Sequence, residues 1–323
     1  MTMGRTHFYG KGDGMELKEL NYLIAIAEEK SISKAAERLY MAQSSLSQFL
    51  STLEANLGNR LFVRQSTGVR PTEAGKIMID YAYATLAEFH RVQDEMQDIA
   101  RLERGRVILG ISGFRGSYLL PPVLNEFRKR YPGIHVNIVE QNSMALEEML
   151  LSGEIDIAVI VLPASDQRIV SEFLMKDEIC LITGKDHPIL KKAVNTGKDS
   201  GIPLMVNIRD TAEYEYYLSD YDTILGREAR KIFMKNGIVP VTYNEKLTAL
   251  FAAAMGAEGQ GLAFTYYSSR RYFHDAVFLE IEGDAPSVEL AVALSPGRYH
   301  SRASLALKET IYDILGDRKT AGE

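Results

Sequence analysis

Short apolar stretches alternate with amphipathic helical stretches over most of the chain beyond residue 105. The stretches VILGIS, IHVNIVEQ and IDIAVIVL are separated by the helical LPPVLNEFRKRY and MALEEMLLSG. The alternation continues through EICLITG, PLMVNI, VPVTYN and LAFTYYS to ELAVALS and a last helix, ASLALKETIYDIL. Such a pattern predicts a doubly wound α/β fold with a mostly parallel sheet.

The segment before this alternation has a helical pattern and no comparable strands until its end. Three helices are predicted from residues 15 to 58 by apolar positions spaced three and four apart, which are Leu20, Leu23, Ile24, Ala27, then Ile32, Ala35, Ala36, Leu39, then Leu46, Leu50, Leu53, Leu57. Ser33 and either Ser44 or Ser45 are the predicted N-caps, and Gly58 is the predicted C-terminal stop. RLFVRQSTGVRPT then predicts two short strands joined by a turn, which is a wing.

A long helix is predicted for residues 73–103, which contain no Pro and no Gly after Gly75. At 1.5 Å per residue it would extend over ~45 Å. Its mostly apolar positions alternate by four and three, as in a coiled coil: Met78, Ala82, Thr85, Phe89, Val92, Met96, Ile99. The helix is therefore predicted to pair with a second copy, the alternative being a helix packed on its own domain.

The third predicted helix carries no positive charge, because residues 39–59 contain neither Lys nor Arg, and the chain has a net charge of -6. Its polar face, with Ser44, Ser47, Gln48, Ser51 and Thr52, can reach base edges but offers little attraction to phosphates. Over residues 31–79, however, six basic and three acidic residues give a local net charge of +3. The sequence therefore predicts that flanking residues hold phosphates while the neutral helix reads bases. The alternative is a helical domain whose Ser-rich face is only solvated.

Several other classes of protein find little support in the sequence. The six His are scattered, and there is no HExxH, CxxC pair or GxSxG, so neither an enzyme nor a cofactor is predicted. The single Cys180 lies in an apolar stretch and is predicted to be buried. With no secretion signal and no stretch long enough to span a bilayer, the expected location is the cytoplasm.

Three stretches near the start of the chain are LNYLIAIAEEKSISKAAERL, AQSSLSQFLSTLEANLGNRLFVR and PTEAG. Together they resemble the N-terminal winged helix-turn-helix of the LysR-type transcriptional regulators. YLLPPVLNEFRKRYPGIHVNIVEQ and LLSGEIDIAVI are similar to the start of that family's effector-binding domain, and ALSPGRYHSRASLALKETI is similar to its end. The resemblance covers the chain from Met15 to about Leu315, with the motifs in the family's order.

The resemblance implies a winged helix-turn-helix, a long linker helix for dimerisation and a C-terminal two-lobed α/β effector domain similar to periplasmic binding proteins. The expected boundaries are a flexible leader at 1–14, the DNA-binding domain at 15–72, the linker helix at 73–104, the effector domain at 105–316 and a tail at 317–323. Lobe I is expected at about 105–168 and 266–316, and lobe II at about 169–265. The implied partners are a double-stranded DNA site with an interrupted inverted repeat, a small-molecule effector and further copies of the chain, as a homodimer or homotetramer.

Candidate DNA-binding residues follow from the same match. The major groove would be faced by Gln43, Ser44, Ser47, Gln48 and Thr52, while the wing would be held to the DNA backbone by Arg64, Arg70 and Thr72. The candidate DNA-binding set also includes Lys34, Ser45 and Pro71. Where the family commonly has an Arg, then Gln and further basic residues, this chain has Gln48, Phe49 and Ser51. A base preference is therefore not transferred from the family.

Most candidate effector-binding residues lie after predicted strands, where doubly wound domains bind ligands against helix N-termini. They are Ser112, Gly113, Phe114, Asn142, Ser143, Arg209 and Thr265. Hydroxyls at helix starts and Arg209 suit a small anion, although each Ser can equally be an N-cap and Arg209 a surface residue. The crowded Tyr214, Tyr216, Tyr217 and Tyr221 suit an aromatic acid or an interlobe or oligomer surface. The alternative function is a solute-binding protein without regulatory DNA binding.

Overall fold

The computed structural model describes residues 15–65, 68–98, 105–197, 201–283, 286–297 and 299–316. The predicted leader at 1–14, the tail at 317–323 and Ile99 lie outside these residues. The chain forms two compact units, one built mainly from residues up to Met96 and the other mainly from Gln97 onward. No helix in the described ranges is both long enough and apolar enough to cross a bilayer.

The first unit is a winged helix-turn-helix followed by a long helix. Its elements are α1 Leu17–Glu29, α2 Ile32–Arg38, α3 Gln43–Leu57, the antiparallel strands β1 Phe62–Gln65 and β2 Gly68–Pro71, and α4 Glu73–Asp98. The prediction that Gly58 ends the third helix is confirmed, since this residue is the C-cap with φ 65°. The predicted N-caps are wrong, because α2 is capped by Ser31 and α3 begins after Ala42, which has no capping side chain.

The core of this unit is formed by the apolar positions that the helical spacing predicts. Leu23, Ala35, Leu46 and Leu50 are buried together with Leu61 of the wing. Burying each of these leucines contributes about 1.5–3 kcal/mol, so the polar face of α3 is left to point away from the core.

The predicted coiled-coil positions of α4 divide into two groups. Ala82 is fully buried against Leu20 and Ile24 of α1. Phe89 and Val92, further along the helix, are about 40 % exposed, at 41 % and 40 %. The first half of α4 therefore packs on its own unit, whereas the second half leaves apolar side chains uncovered within the described residues.

The second unit contains two α/β lobes. Lobe I has the parallel strands β3 Gly105–Ile111, β4 Ile134–Glu140 and β5 Ile157–Leu162 with the antiparallel β13 Ser287–Leu294, and the helices α5 Gly113–Arg130, α6 Ser143–Ser152 and α9 Arg302–Leu315. Lobe II has the strands β7 Val194–Asn195, β8 Leu204–Val206, β9 Glu215–Ser219, β10 Val241–Leu247, β11 Leu262–Tyr266 and β12 Val277–Ile281, and the helices α7 Ile224–Asn236 and α8 Ala249–Ala257. The strand β6 Ser171–Thr183 belongs to both lobes.

The chain crosses between the two lobes at points other than those predicted from the sequence. β6 pairs with β13 over residues 171–178 and with β11 over residues 179–182, so the first crossing lies inside this strand rather than near residue 169. The chain returns to lobe I only at Ser287, since β12 pairs with β6 and β8 in lobe II. A single long strand can continue from one sheet into the next without a turn, and therefore no turn residues mark the crossing in the sequence.

Two other differences concern elements near the cleft. α5 begins at Gly113, well before the predicted LPPVLNEFRKRY, and contains Pro121 and Pro122. The Tyr-rich segment includes β9, in which Tyr216 is fully buried and stacks on Phe264. Tyr216 is therefore part of the core of lobe II, whereas Tyr221 is 64 % exposed, so these tyrosines do not form one surface.

Candidate DNA interface and effector cleft

The face of α3 that points away from the core is neutral and polar. Most of the predicted DNA-binding residues of this helix are exposed, namely Gln43, Ser44, Ser45, Gln48 and Thr52, whereas Ser47 is partly buried. The Gln48 amide donates a hydrogen bond to Thr52 Oγ1 at 3.4 Å.

The N-terminus of α3 adds a backbone contribution to this face. Ala42 has no side-chain cap, so the N–H groups of Gln43 and Ser44 are available to a phosphate, whereas the Ser45 N–H donates to the Ala42 carbonyl at 3.0 Å. The Phe49 ring packs edge-on against Tyr22, with the ring centroids 5.2 Å apart, and so belongs to the packing of the unit.

The wing is fixed to the end of α1 by the backbone. The Val69 N–H donates to the Lys30 carbonyl at 2.9 Å. Gly68 has φ 131°, and a Cβ at this position would lie 2.3 Å from the same oxygen. Arg64 on β1 and Arg70 on β2 are exposed on the wing held in this way.

The start of α4 is joined to the wing by Thr72. Its hydroxyl donates to the Arg60 carbonyl at 2.7 Å and accepts from the Gly75 N–H at 3.0 Å. Pro71, the last residue of β2, is partly buried. Thr72 therefore has a capping role in the unit, and its predicted contact with a phosphate stays a prediction.

Two side chains in this unit have roles that the sequence did not reveal. Glu54 Oε1 accepts from the backbone N–H groups of Leu61 and Phe62, at 2.7 and 3.0 Å, and so fixes the end of α3 to β1. Arg38 pairs with Glu28 and Glu29, and hydrogen bonding to Glu28 raises the pKa of Arg38. Neither role has a local sequence signal, because the partners are seven or more residues away.

The ion pairs reduce the number of cations that are available for phosphates. Lys76 is engaged with Glu73 at 2.7 Å, as Arg38 is with its two carboxylates. Within the described part of this unit, the residues that are exposed and form no ion pair include Lys34, Arg60, Arg64 and Arg70. These four lie on α2, before β1 and on the wing, and so flank the neutral helix in the chain.

In the second unit, the carboxyl ends of two neighbouring parallel strands carry most of the predicted effector residues. Ser112 follows β3 and is the N-cap of α5 without a side-chain hydrogen bond, and Asn142 and Ser143 follow β4. Asn142 Oδ1 accepts from the Ala145 N–H at 3.0 Å, so this residue caps α6. Gly113 is so close to Glu140 that a Cβ would come within 1.9 Å of the carboxylate.

The remaining effector candidates differ in accessibility. Phe114 packs against Tyr118 and Tyr266, with ring centroids 5.4 and 6.0 Å apart. Arg209 is exposed in the short 3-10 helix Ile208–Thr211 of lobe II. Thr265 is fully buried and its hydroxyl is 2.9 Å from that of Ser269, so in this structure it faces the interior of lobe II.

A groove of about 810 Å³ lies between residues of the two lobes. Lobe I contributes most of the lining and lobe II contributes Ile224 and Glu228 of α7; the lobe I residues include Val161, Pro163, Asp166, Ile169, Ser171 and Glu289. None of the predicted effector residues lines this groove. Its size suits a small molecule.

A buried charged cluster where the two lobes meet was not predicted from the sequence. Arg115, in the first turn of α5, is 4 % exposed, and its guanidinium carbon lies 3.9 Å from the centre of the Tyr266 ring. Asp177, in the crossing strand β6, is 2 % exposed and accepts from the Ser268 N–H at 3.1 Å and hydroxyl at 2.7 Å. Burial raises the pKa of Asp177, although the Arg115 charge opposes this shift. The sequence feature that could have indicated this cluster is Arg115 itself, which directly follows the predicted effector residues Ser112, Gly113 and Phe114.

Comparison with known proteins agrees with this architecture. Residues 17–76 match the bacterial regulatory helix-turn-helix of the lysR family, and residues 100–315 match the LysR substrate binding domain. An uncharacterized HTH-type transcriptional regulator of Bacillus subtilis, YcgK, is 30 % identical over 311 residues, covering 93 % of this chain and 95 % of that protein. The nitrogen assimilation regulatory protein nac of Klebsiella aerogenes is 28 % identical, with 93 % and 95 % covered.

Solved structures of full-length regulators share the fold. OxyR C199D of Pseudomonas aeruginosa superposes with a TM-score of 0.65 at 21 % identity, covering 97 % of this chain and all of that one. CbnR, a LysR family transcriptional regulator, has a TM-score of 0.63 at 21 % identity, with 94 % and 100 % covered.

A winged helix-turn-helix joined to a two-lobed α/β effector domain defines a DNA-binding transcriptional regulator. The chain belongs to the LysR family of these regulators. The resemblance, the fold class and the regulatory function predicted from the sequence are therefore confirmed. The family consists of regulators rather than enzymes.

Proposed function

We propose that this regulator reads an interrupted inverted repeat in double-stranded DNA through the neutral face of α3 and holds the phosphates through the residues that flank it. The observation that carries the proposal is the placement of uncharged, exposed Gln48 and Thr52 on one face of α3, with exposed Arg64 and Arg70 on the wing. Amide and hydroxyl groups distinguish base edges, whereas Arg on phosphates contributes affinity without sequence preference.

The regulated assembly is a homodimer that forms a homotetramer. The apolar side chains of Val92 and Met96, 40 % and 68 % exposed on the second half of α4, support pairing with a second copy of this helix. The groove between residues of the two lobes supports binding of a small-molecule effector there. The protein acts in the cytoplasm, where its DNA lies, and catalyses no reaction; its domains are those expected at 15–72, 73–104 and 105–316, with the lobe crossings at β6 and before β13.

Selection of fragments from the host genome by the purified full-length protein tests the proposal. Recovery of a few fragments that share an inverted repeat is the expected result. Gln48→Ala should relax the sequence preference, whereas Asn56→Ala, at an exposed position nearer the end of α3, is the matched control and should leave it unchanged.

The outcomes separate the two candidate functions. Uniform, weak recovery of random fragments, with a small molecule that still stabilises the protein, would contradict DNA reading and leave the solute-binding alternative. If Gln48→Ala and Asn56→Ala select the same fragments as the wild-type protein, α3 is not the reader and the assignment of its face is wrong.

A further inference from the structure

Tyr40 lies in the turn between α2 and α3, and its backbone conformation is one that a tyrosine rarely adopts. Its φ is 53°, in the left-handed region that favours Gly and Asn. The Tyr40 N–H donates to the Glu37 carbonyl at 3.1 Å. The Met41 N–H donates to the Ala36 carbonyl at 3.0 Å, and these two bonds end α2 in an arrangement whose left-handed residue is usually Gly. The end of α2 is therefore strained by the presence of Tyr40.

The Tyr40 side chain contributes almost nothing to the packing of the first unit. It is 97 % exposed, whereas its neighbours Leu39 and Met41 pack on the core of this unit. Folding alone would favour Gly at such a position, because Gly adopts a positive φ without strain. Residues that are held in disfavoured backbone conformations cluster at functional sites. Tyr40 is therefore a candidate for a contact with a molecule outside the folded chain.

The place of Tyr40 in the chain is next to the DNA-reading helix. It lies three positions before Gln43, the first residue of α3, and Ala42 between them provides no side-chain cap. In a helix-turn-helix, the N-terminal residues of the second helix contact base edges while the first helix crosses the DNA backbone. The turn that joins the two helices is therefore expected beside the phosphates at the edge of the groove.

A neutral donor in this turn would supplement the few cations that are available for phosphates. Arg38, the last residue of α2, is engaged by Glu28 and Glu29, so its charge is already paired. Tyr hydroxyls are among the side-chain groups that donate hydrogen bonds to phosphate oxygens. Such a bond is strengthened by the charge of the phosphate and needs no positive charge on the protein.

We propose that the Tyr40 hydroxyl donates a hydrogen bond to a DNA phosphate at the edge of the major groove, and that the strained end of α2 holds the side chain outward for this contact. The contact adds affinity without sequence preference. This inference rests on the proposed DNA interface and extends it to the turn before the reading helix.

The test compares the full-length wild type, Tyr40→Phe and Tyr81→Phe on one fragment recovered in the genome selection and on one random duplex. Tyr40→Phe should raise the Kd for both duplexes about 3–10-fold for each copy bound, because one hydrogen bond is lost. The salt dependence should stay that of the wild type, since a neutral donor releases no counterion. Tyr81, 54 % exposed on α4, is the matched control, and Tyr81→Phe should bind as the wild type does.

Tyr40→Gly tests the strain separately from the contact. This variant should raise the urea midpoint of the full-length protein, because Gly adopts the positive φ of this position freely. It should nevertheless bind both duplexes less tightly than the wild type. A gain in stability together with a loss of affinity is not expected of a residue with a purely structural role.

Several results would overturn the proposal. Wild-type affinity of Tyr40→Phe or Tyr40→Gly, or an equal loss in Tyr81→Phe, would do so. A loss confined to the selected fragment would mean that Tyr40 reads a base, and a urea midpoint of Tyr40→Gly at or below that of the wild type would refute the strain.

Gln48→Ala, measured on the same two duplexes, separates failure of this contact from failure of the proposed function. A relaxed sequence preference in Gln48→Ala, with undiminished binding by Tyr40→Phe, leaves α3 as the reader and refutes only the Tyr40 contact. An unchanged preference in Gln48→Ala, with weaker binding of both duplexes by Tyr40→Phe, refutes the reading face and supports the phosphate contact. Because this contact carries no sequence information, the random duplex alone tests it if the selection recovers no fragment.

Discussion

Replacing Arg64 and Arg38 separately by Ala distinguishes cations that hold DNA from cations that hold the protein together. Both are basic residues near α3, and the sequence alone treats them alike. Arg64 is exposed on the wing, whereas Arg38 is engaged by Glu28 and Glu29, with Nη1 3.3 Å from Glu29 Oε1. We therefore expect Arg64→Ala to remove a phosphate contact and Arg38→Ala to remove none.

The expected magnitude follows from the number of available cations. If Lys34, Arg60, Arg64 and Arg70 each neutralise one phosphate, the slope of log K against log salt is about -3.6 per copy. Arg64→Ala should make this slope shallower, at about -2.7. A fourfold rise in salt concentration would then lower the affinity of the variant by a factor about 3.5 times smaller than for the wild type. Arg38→Ala weakens binding by exposing two carboxylates to the DNA but should leave the slope near that of the wild type.

Fluorescence anisotropy on a selected operator and on random duplex, over a range of salt concentrations, measures these slopes. Arg64→Ala should weaken both duplexes alike, because a phosphate contact carries no sequence information. A slope reduced as much by Arg38→Ala as by Arg64→Ala would refute the reasoning, since it would mean that the ion pairs of Arg38 open when DNA binds.

Three other substitutions test structural contacts. Gly68→Ala should lower the free energy of unfolding of the DNA-binding unit by about 2–4 kcal/mol in urea melts, through backbone strain and loss of the bond to Lys30. Glu54→Ala should cost about 1–3 kcal/mol by leaving two N–H groups unsatisfied, and Glu54→Gln should cost less. Burial raises the pKa of Asp177 above its usual 3.8, so the native state binds more protons than the unfolded state between these two pKa values. The free energy of unfolding should therefore fall as pH rises from 3.8 to the folded pKa. Asp177→Asn should make the urea midpoint less dependent on pH over this range.

The helical and strand elements could be predicted because they depend on local spacing. Leu46 and Leu50 are one turn apart and are buried together, and this spacing alone fixes which face of α3 is polar. The parallel strands β3, β4 and β5 follow equally from short apolar stretches between helices. The carboxyl ends of β3 and β4 then place Ser112 and Asn142 at one edge of a sheet.

What could not be predicted depends on residues distant in the chain. Arg38 is neutralised by carboxylates on the preceding helix, and no charge count along the segment reveals that pairing. Arg115 lies next to three predicted effector residues, yet its burial depends on Tyr266, far along the chain in the other lobe. Gly68 reads as an ordinary turn glycine, and only the approach of Lys30 shows why a side chain is excluded there.

The small number of available cations has a consequence for assembly. A slope of about -3.6 per copy corresponds to about four phosphate contacts, whereas a protein that makes about 6–10 such contacts has a much steeper salt dependence. Two copies would supply twice as many, and they would also place two neutral α3 helices on the two halves of an inverted repeat. The exposed Val92 and Met96 of α4 can be covered by the same pairing. We therefore expect DNA reading by the uncharged α3 to depend on association of copies, and Val92→Glu should weaken DNA binding more than any single wing substitution does.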